Sequence, residues 1–168
     1  MSTEQRPLAV FDLDGTLCDV RHRLHFVTAP SGGRRARKDW EGFFAAARQD
    51  PPLAVGVALA REWARTCELG YVTGRPERCR RDTLDWLAEH GLPAGELWMR
   101  SEADRRPARA TKPGLLRRLA AAREVEVVVD DDAEVCAAYR AAGFRVVRAD
   151  WVAGAPELPG LQEREGRT

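Results

Sequence analysis

Hydrophobic and polar positions follow two periods along this chain. Short apolar runs indicate buried strands, and longer stretches with apolar residues three and four positions apart indicate helices. The strands are predicted at 7–13, 67–73, 96–99, 125–129 and 144–147. The helices are predicted at 53–65, 77–90, 113–123 and 133–142. Because strands alternate with helices, we expect an α/β fold with a parallel sheet of about five strands and right-handed crossovers.

One segment, between the first strand and the helix at 53, interrupts this alternation. It holds a basic stretch at 31–38 and then four apolar residues at the spacing of one helix face, namely Trp40, Phe43, Phe44 and Ala47. Asp50-Pro51-Pro52 ends this predicted helix, because a residue before proline avoids the helical region. The aromatic face either packs on the core or belongs to an inserted element, and the two interpretations are compatible.

Length and composition indicate one globular domain. The chain has 168 residues, of which 44% are hydrophobic, and its net charge is +1. No strong overall field therefore draws it to nucleic acid or to membranes. Its 27 basic residues include only two lysines, Lys38 and Lys112, so 25 are arginines. Arginine favours bidentate contacts with phosphate, although biased codon usage would give the same enrichment.

Cysteine usage and the N-terminal residues suggest a reducing compartment. The four cysteines form neither a C-x-x-C pair nor a Cys/His cluster of the kind that binds zinc; they are Cys18, Cys67, Cys79 and Cys136. Residues 1–6 are polar and do not resemble a signal peptide. No apolar run reaches the roughly 18 residues that a spanning helix needs. We therefore expect a cytoplasmic protein with free thiols and no membrane association.

The most informative chemistry lies in residues 9–18. A buried apolar run there leads into Asp12 and Asp14, which are followed by Gly15. On an extended segment this spacing places both carboxylates on the same side, at the strand end where open α/β sheets bind ligands. One carboxylate can attack phosphorus, the other can move a proton, and the pair can share a divalent cation. The alternative is a strand that ends in an Asp-Gly turn.

Two later segments add polar groups at predicted element ends. Thr73 and Gly74, followed by Arg75-Pro76, suggest a hydroxyl at a strand end, a glycine turn and a helix start, where a phosphate can bind. Alternatively, Thr73 is a helix N-cap. Lys112 opens the helix predicted at 113 and would offset negative charge near Asp12, or else it is solvated.

A third later segment places three acids, Asp130-Asp131-Asp132, directly after the fourth strand. Three carboxylates after a buried strand need a cation or basic partners. If the first and fourth strands are neighbours, Asp12 and Asp14 meet this cluster. Mg²⁺ is held by few protein carboxylates, together with waters and phosphate oxygens. We therefore predict a magnesium site at Asp12, Asp14, Asp130 and Asp131, with Asp132 capping the next helix.

The four segments together resemble the motifs of the haloacid dehalogenase (HAD) superfamily of aspartate-nucleophile phosphohydrolases. The resemblance implies a HAD-like Rossmannoid fold in which Asp12 is the nucleophile and Asp14 the general acid/base. Thr73 and Lys112 would then hold the phosphoryl oxygens, and the Asp14 backbone carbonyl would join Asp12, Asp130 and Asp131 at the metal.

The same resemblance implies how the domain is organised. HAD enzymes carry a small cap directly after the nucleophile strand, which would correspond here to about 20–52. The whole chain, 1–168, would form a single phosphatase domain. Residues 154–168 are rich in Gly, Pro and charge, and we expect an irregular tail there.

A longer series of residues resembles, more narrowly, the phosphatase domain of polynucleotide kinase/phosphatase, which removes 3′-phosphates from nucleic acids. The series comprises Trp40, Phe43-Phe44, Asp50-Pro51, 72–75, 83–87, Met99-Arg100, Asp104, Arg106, Lys112, Asp130-Asp131, Val135 and Tyr139-Arg140. The resemblance implies that Gly74, Arg75, and Arg100 or Arg106 bind or order the substrate.

We therefore expect a magnesium-dependent phosphomonoesterase that acts on the 3′-phosphate end of DNA or RNA. A phosphatase for mononucleotides or other small molecules is the first alternative. A binding module that keeps the HAD fold without turnover is the second. The acid pair and Lys112 are both present, which argues against the second alternative.

Overall fold

The five strands form one parallel sheet, as a computed structural model covering residues 5–28 and 38–152 shows. Their order in the sheet is β3-β2-β1-β4-β5, and every neighbouring pair is parallel. The strands are β1 (Leu8–Phe11), β2 (Glu68–Pro76), β3 (Gly95–Arg100), β4 (Val125–Asp130) and β5 (Val146–Arg148). The predicted α/β fold with about five parallel strands is confirmed.

Helices cover both faces of this sheet. The α-helices are α1 (Trp40–Ala45), α2 (Ala54–Trp63), α3 (Arg80–Glu89), α4 (Ala108–Ala122) and α5 (Ala133–Ala141). Short 3₁₀ helices lie at Arg21–Phe26, Ala46–Gln49 and Glu77–Cys79. None of the helices in the described residues is long and apolar enough to cross a membrane.

The central strand β1 explains where the site lies. It is buried on both faces: Ala9 and Phe11 belong to one apolar cluster, whereas Leu8 and Val10 belong to the other. A strand covered on both faces has a continuous apolar run rather than an alternating one. Because β1 pairs with β2 on one side and β4 on the other, a crevice opens beyond their carboxyl ends.

The predicted start of the helix at Pro113 was wrong. Helix α4 begins at Ala108, after Pro107 in an extended conformation, and Pro113 lies inside it. A proline commonly marks the first turn of a helix, but here Pro113 occupies a later position despite the backbone hydrogen bond that it removes. Lys112 therefore projects from the body of the helix and not from its first residue.

The predicted turn at Thr73-Gly74 was also wrong. Strand β2 continues to Pro76, with a register irregularity against β3 between Val72 and Pro76. Thr73 is consequently a strand residue and not a helix N-cap. The helix predicted at 77–90 begins as a 3₁₀ turn and becomes α-helical at Arg80.

The aromatic segment packs on the core, as one of the two interpretations proposed. Trp40, Phe43 and Phe44 are buried and in mutual ring contact. Most of the basic stretch, 31–37, and the tail predicted at 154–168 lie outside the described residues. The assignment of a cap at 20–52 remains a prediction.

Candidate active site

Three carboxylates meet where β1 and β4 end. Phe11 pairs with Val129, and the Asp12 backbone N–H donates to the Val129 carbonyl at 2.9 Å. This register places Asp12 beside Asp130. One oxygen from each of Asp12, Asp130 and Asp131 lies within 4.8 Å of the others. The structure thus brings together three of the four residues predicted to bind metal.

Lys112 supplies the positive charge at this cluster. Its Nζ donates to Asp130 Oδ2 at 2.8 Å and lies 2.9 Å from Asp12 Oδ1. The lysine is 1% exposed, and a buried ammonium needs such partners. The position of Lys112 within α4, with its side chain directed to the ends of β1 and β4, makes this bridge between two strands possible.

The three carboxylates carry more negative charge than one lysine offsets. Burial raises the pKa of Asp12 to about 7; Asp130 and Asp14 add to the increase, while Lys112 opposes it. Burial, with Asp12 and Asp130 nearby, also raises the pKa of Asp131 well above its usual range. Among the described residues, the hydrogen bond donated to Asp131 comes from Arg148 Nε and goes to its backbone carbonyl at 3.4 Å, and not to its carboxylate. An all-oxygen set with excess negative charge suits a hard divalent cation such as Mg²⁺.

Gly15 allows Asp131 to reach this cluster. Its φ is +83°, a left-handed conformation that a glycine adopts readily. A Cβ at this position would lie 2.2 Å from Asp131 Oδ2. The glycine therefore serves both the turn after Asp14 and the close approach of the Asp131 carboxylate.

Asp14 belongs to a second, separate charge cluster. Its Oδ1 accepts from Arg23 Nη2 at 2.8 Å and from Arg75 Nε at 3.0 Å. Its Oδ2 is buried and has no hydrogen-bond partner among the described residues. Burial alone would raise the pKa of Asp14, but Arg23 and Arg75 outweigh it and lower the value to about 2. The Asp14 side chain is thus an ionised group with one free oxygen, and it is not part of the three-carboxylate set.

Asp50 is a second carboxylate that accepts hydrogen bonds from both Arg23 and Arg75. Arg23 donates to both of its carboxylate oxygens at 2.7 Å, and Arg75 Nη2 donates to Oδ2 at 3.0 Å. Asp50 and both arginines are buried. The sequence analysis missed Arg23, and it treated Asp50 as a helix terminator and as part of the longer resemblance, without a role in the site. Nothing distinguishes Arg23 from the other arginines in the sequence, so only the Asp50-Pro51 pair offered a signal.

Thr73 lies near Asp12 through strand register. Tyr71 pairs with Phe11, so the residues that follow each of them approach the same edge of the sheet. Thr73 is 1% exposed, and its Oγ1 accepts the Arg75 backbone N–H at 3.2 Å. The predicted phosphate-binding hydroxyl is therefore in the crevice, where it also fixes the backbone that carries Arg75.

The remaining residues predicted to contact the substrate are Gly74, Arg100 and Arg106. Arg100 is hydrogen-bonded to the backbone of the other two, and the Arg106 side chain lies on the surface. Arg100 Nε donates to the Gly74 carbonyl at 3.2 Å, and its Nη1 donates to the Arg106 carbonyl at 2.7 Å. The Arg106 side chain is 63% exposed and pairs with Asp104 at 2.7 Å. Arg100 thus braces the loop after β3, while the Arg106 guanidinium does not reach the buried carboxylates.

The two clusters differ in the chemistry that they can support. Asp12 presents a carboxylate beside a lysine and a set of oxygens that could hold a cation. Asp14 offers an independently held carboxylate with a free oxygen. Separate environments that push two carboxylate pKa values apart are a usual basis for distinct acid/base and nucleophilic roles.

A comparison with known protein families finds a match over most of the chain. The family model described as "Polynucleotide kinase PNKP phosphatase domain" matches residues 7–151. No curated protein matches the chain. The Pnkp1/Rnl/Hen1 complex contains a chain that is 22% identical, with a TM-score of 0.66 over 88% of this chain and 47% of that one. This chain therefore spans about half the length of that protein.

Two further structures share the fold. A haloacid dehalogenase-like hydrolase from Streptococcus pneumoniae is 15% identical, with a TM-score of 0.64 over 94% of this chain and 91% of that chain. A class C acid phosphatase from Bacillus anthracis is 13% identical, with a TM-score of 0.61 over 90% and 70%, respectively. The family match covers most of the chain, and the chain is therefore a HAD-type phosphatase that belongs to the family of polynucleotide kinase phosphatase domains.

Proposed function

We propose that this protein is a magnesium-dependent phosphomonoesterase that removes 3′-phosphates from polynucleotides. The observation that carries the proposal is the pairing of Lys112 with Asp12 and Asp130, beside an Asp14 that is held by two other cations. Neither cluster is a simple structural salt bridge, because each leaves a carboxylate oxygen or a whole carboxylate without a donor.

In the first step, the Asp12 carboxylate attacks phosphorus in line. A P–O bond to Asp12 forms, and the bond to the leaving alkoxide breaks. Asp14, which takes up a proton from solvent when the phosphate binds, gives that proton to the alkoxide, while Lys112 and Thr73 hold the phosphoryl oxygens. Such a reaction relies on positioning and charge more than on further covalent chemistry.

In the second step, Asp14 accepts a proton from water as that water attacks the aspartyl-phosphate. Phosphate leaves and the Asp12 carboxylate is restored. In the free protein Asp14 is ionised and can accept a proton, but a carboxylate whose pKa is held low is a weak base. Arg23 and Arg75 lower the pKa of Asp14, and a bound phosphoryl dianion raises it, because a nearby negative charge favours the protonated carboxyl. Substrate binding therefore prepares Asp14 for its role as an acid.

Magnesium would be held by Asp12, Asp130 and Asp131, together with the Asp14 backbone carbonyl. When bound, it would offset the charge of the phosphoryl oxygens and the crowded carboxylates. Gly74, Arg75 and Arg100 would shape the substrate side, with Arg106 at its rim. The chain's own residues thus provide the nucleophile, the acid/base and the oxygen ligands.

Metal affinity should rise with pH, because Mg²⁺ must displace the proton from Asp12. With its pKa at about 7, Asp12 is mostly protonated at pH 6 and mostly ionised at pH 8. We expect Mg²⁺ to bind at least about tenfold more tightly at pH 8. Calorimetry at both values, with proton release measured in two buffers, checks this. Equal affinities, or full activity in excess chelator, would contradict the metal assignment.

The proposed substrate is a polynucleotide, with support from the family match and from the complex described as an RNA repair assembly. Contacts to phosphates beyond the reacting one, from Arg34, Arg35, Arg37 and Lys38 for example, should make binding weaken with salt. The expected slope is roughly −0.7 per phosphate neutralised on a single strand. A mononucleotide lacks these contacts and should respond much less.

The test is kcat/KM for a 3′-phosphorylated oligonucleotide against the matching 3′-mononucleotide, at two salt concentrations. Replacing Arg34, Arg35 and Arg37 with Ala should reduce the oligonucleotide value selectively. Equal kcat/KM values with an equal salt response would contradict the polynucleotide substrate and favour a small-molecule phosphatase. If neither substrate releases phosphate with Mg²⁺ present, the result would favour a non-catalytic binding module.

A further inference from the structure

His22 is the solvent-facing member of the buried network around Asp14. It lies in the 3₁₀ helix Arg21–Phe26, next to Arg23. Its Nε2 is 2.8 Å from Asp50 Oδ1, and its side chain is 37% exposed while that of Asp50 is fully buried. His22 therefore connects this buried carboxylate to the surface.

The direction of this hydrogen bond follows from the other partners of Asp50. Arg23 and Arg75 donate three hydrogen bonds to its two oxygens. Burial raises the pKa of Asp50, while Arg23 and Arg75 act to lower it. Because the two arginines already donate to both oxygens, the carboxylate is an acceptor here. The His22 tautomer with its proton on Nε2 donates the fourth hydrogen bond to this carboxylate.

The same two arginines hold Asp14. Arg23 Nη2 donates to both Asp50 Oδ2 and Asp14 Oδ1, and Arg75 Nη2 likewise contacts both carboxylates. A shift of the Asp50 carboxylate therefore moves both guanidinium groups, and through them Asp14 Oδ1. Phe43 limits other movement, since the Arg23 guanidinium lies 4.1 Å from its ring centroid.

We propose that His22 is a positioning residue for Asp14: by holding Asp50 it fixes Arg23 and Arg75, which direct the free Oδ2 of Asp14 toward the leaving group. The inference rests on the proposed function in one respect, namely that Asp14 transfers the proton. His22 itself touches neither substrate nor the reacting atoms. Removal of a hydrogen-bond partner that orients a metal ligand commonly costs about ten- to a hundredfold in metal affinity or activity. For His22, which acts on Asp14 through Arg23 and Arg75, we take the lower end of this range.

The decisive measurement compares leaving groups. An alkoxide such as a nucleoside 3′-oxygen needs the proton from Asp14, whereas p-nitrophenolate leaves without it. We expect His22→Leu to lower kcat/KM on a 3′-mononucleotide roughly tenfold, with less than about twofold change in kcat/KM on p-nitrophenyl phosphate. This parameter reports binding and departure of the leaving group, and it excludes the later hydrolysis of the aspartyl-phosphate that both substrates share. His22→Gln, whose amide can donate to Asp50, should restore most of the loss. His25→Leu, in the same 3₁₀ helix, is the matched control. The His25 Nδ1 lies 3.0 Å from the His22 backbone carbonyl, so this variant tests the backbone of the helix without removing the His22–Asp50 contact, and it should change neither value.

An equal loss on both substrates would overturn the proposal, because it would indicate general damage to the fold. Full activity of His22→Leu on both would also overturn it.

An activity-independent readout separates this proposal from the proposed function. In ¹⁵N NMR spectra, the side-chain Nε–H signals of Arg23 and Arg75 should shift or exchange faster in His22→Leu and remain unchanged in His25→Leu. If the wild type hydrolyses neither substrate, the proposed function fails, and these signals still decide the positioning of Arg23 and Arg75. Unchanged signals in His22→Leu would refute the role of His22.

Discussion

Asp12→Asn is expected to lower turnover by roughly 10⁴-fold or more, because an amide cannot form the covalent bond to phosphorus. The fold should persist. The pKa of Asp12 is raised to about 7 by burial, so its ionised form destabilises the folded state as pH rises from about 4 to 7. A neutral isostere removes that penalty, and the Tm of metal-free Asp12→Asn at pH 8 should be no lower than that of the wild type.

The measurement is phosphate release with saturating Mg²⁺, together with rapid-quench trapping of the phosphorylated protein. The wild type should give a hydroxylamine-sensitive acyl phosphate on residue 12, and Asp12→Asn should give none. Asp85→Asn, an exposed position on α3, is the matched control and should retain full activity. Substantial turnover by Asp12→Asn would exclude Asp12 as the nucleophile.

Strand β1 was predictable because its burial is uniform. A run that is apolar at every position and ends in Asp12 and Asp14 favours a central parallel strand, and the carboxyl end of such a strand commonly binds a ligand. The same reasoning located Asp130 and Asp131 after β4. This reasoning required β1 and β4 to be neighbours in the sheet, and the observed strand order shows that they are.

The Arg23–Asp50 network could not be predicted in the same way. The two residues are 27 positions apart in sequence, and one of them lies in a 3₁₀ helix with no apolar periodicity. Pairing between irregular segments depends on tertiary packing, here on the position of Phe43 against Arg23. Local pattern likewise misplaced the start of α4, since Pro107 and Pro113 give similar signals in sequence.

Loss of Lys112 is expected to have the second largest effect. Lys112 is 1% exposed. Lys112→Met approximately preserves the length of this buried side chain but removes the ammonium group from Asp12 and Asp130. The positive charge of Lys112 opposes the rise in the pKa values of Asp12 and Asp130 that burial causes. In Lys112→Met this opposition is lost, and both pKa values should rise further. At neutral pH the nucleophile should then be largely protonated, and the phosphoryl oxygens lose a donor.

We therefore expect kcat/KM of Lys112→Met to fall on the order of 10³-fold, with the residual activity rising toward higher pH than in the wild type. The pH profile from 6 to 9, at saturating Mg²⁺, measures both effects. Arg117→Met removes an exposed cation from the same helix and serves as the control for helix α4, with activity unchanged. Circular dichroism establishes that both variants fold.

A folded Lys112→Met protein with more than about a tenth of wild-type activity and an unshifted pH profile would mean that the lysine is a structural counter-ion. A large loss with the upward pH shift would instead place the ammonium at the nucleophile during the reaction, because only a group that acts on Asp12 alters both quantities together.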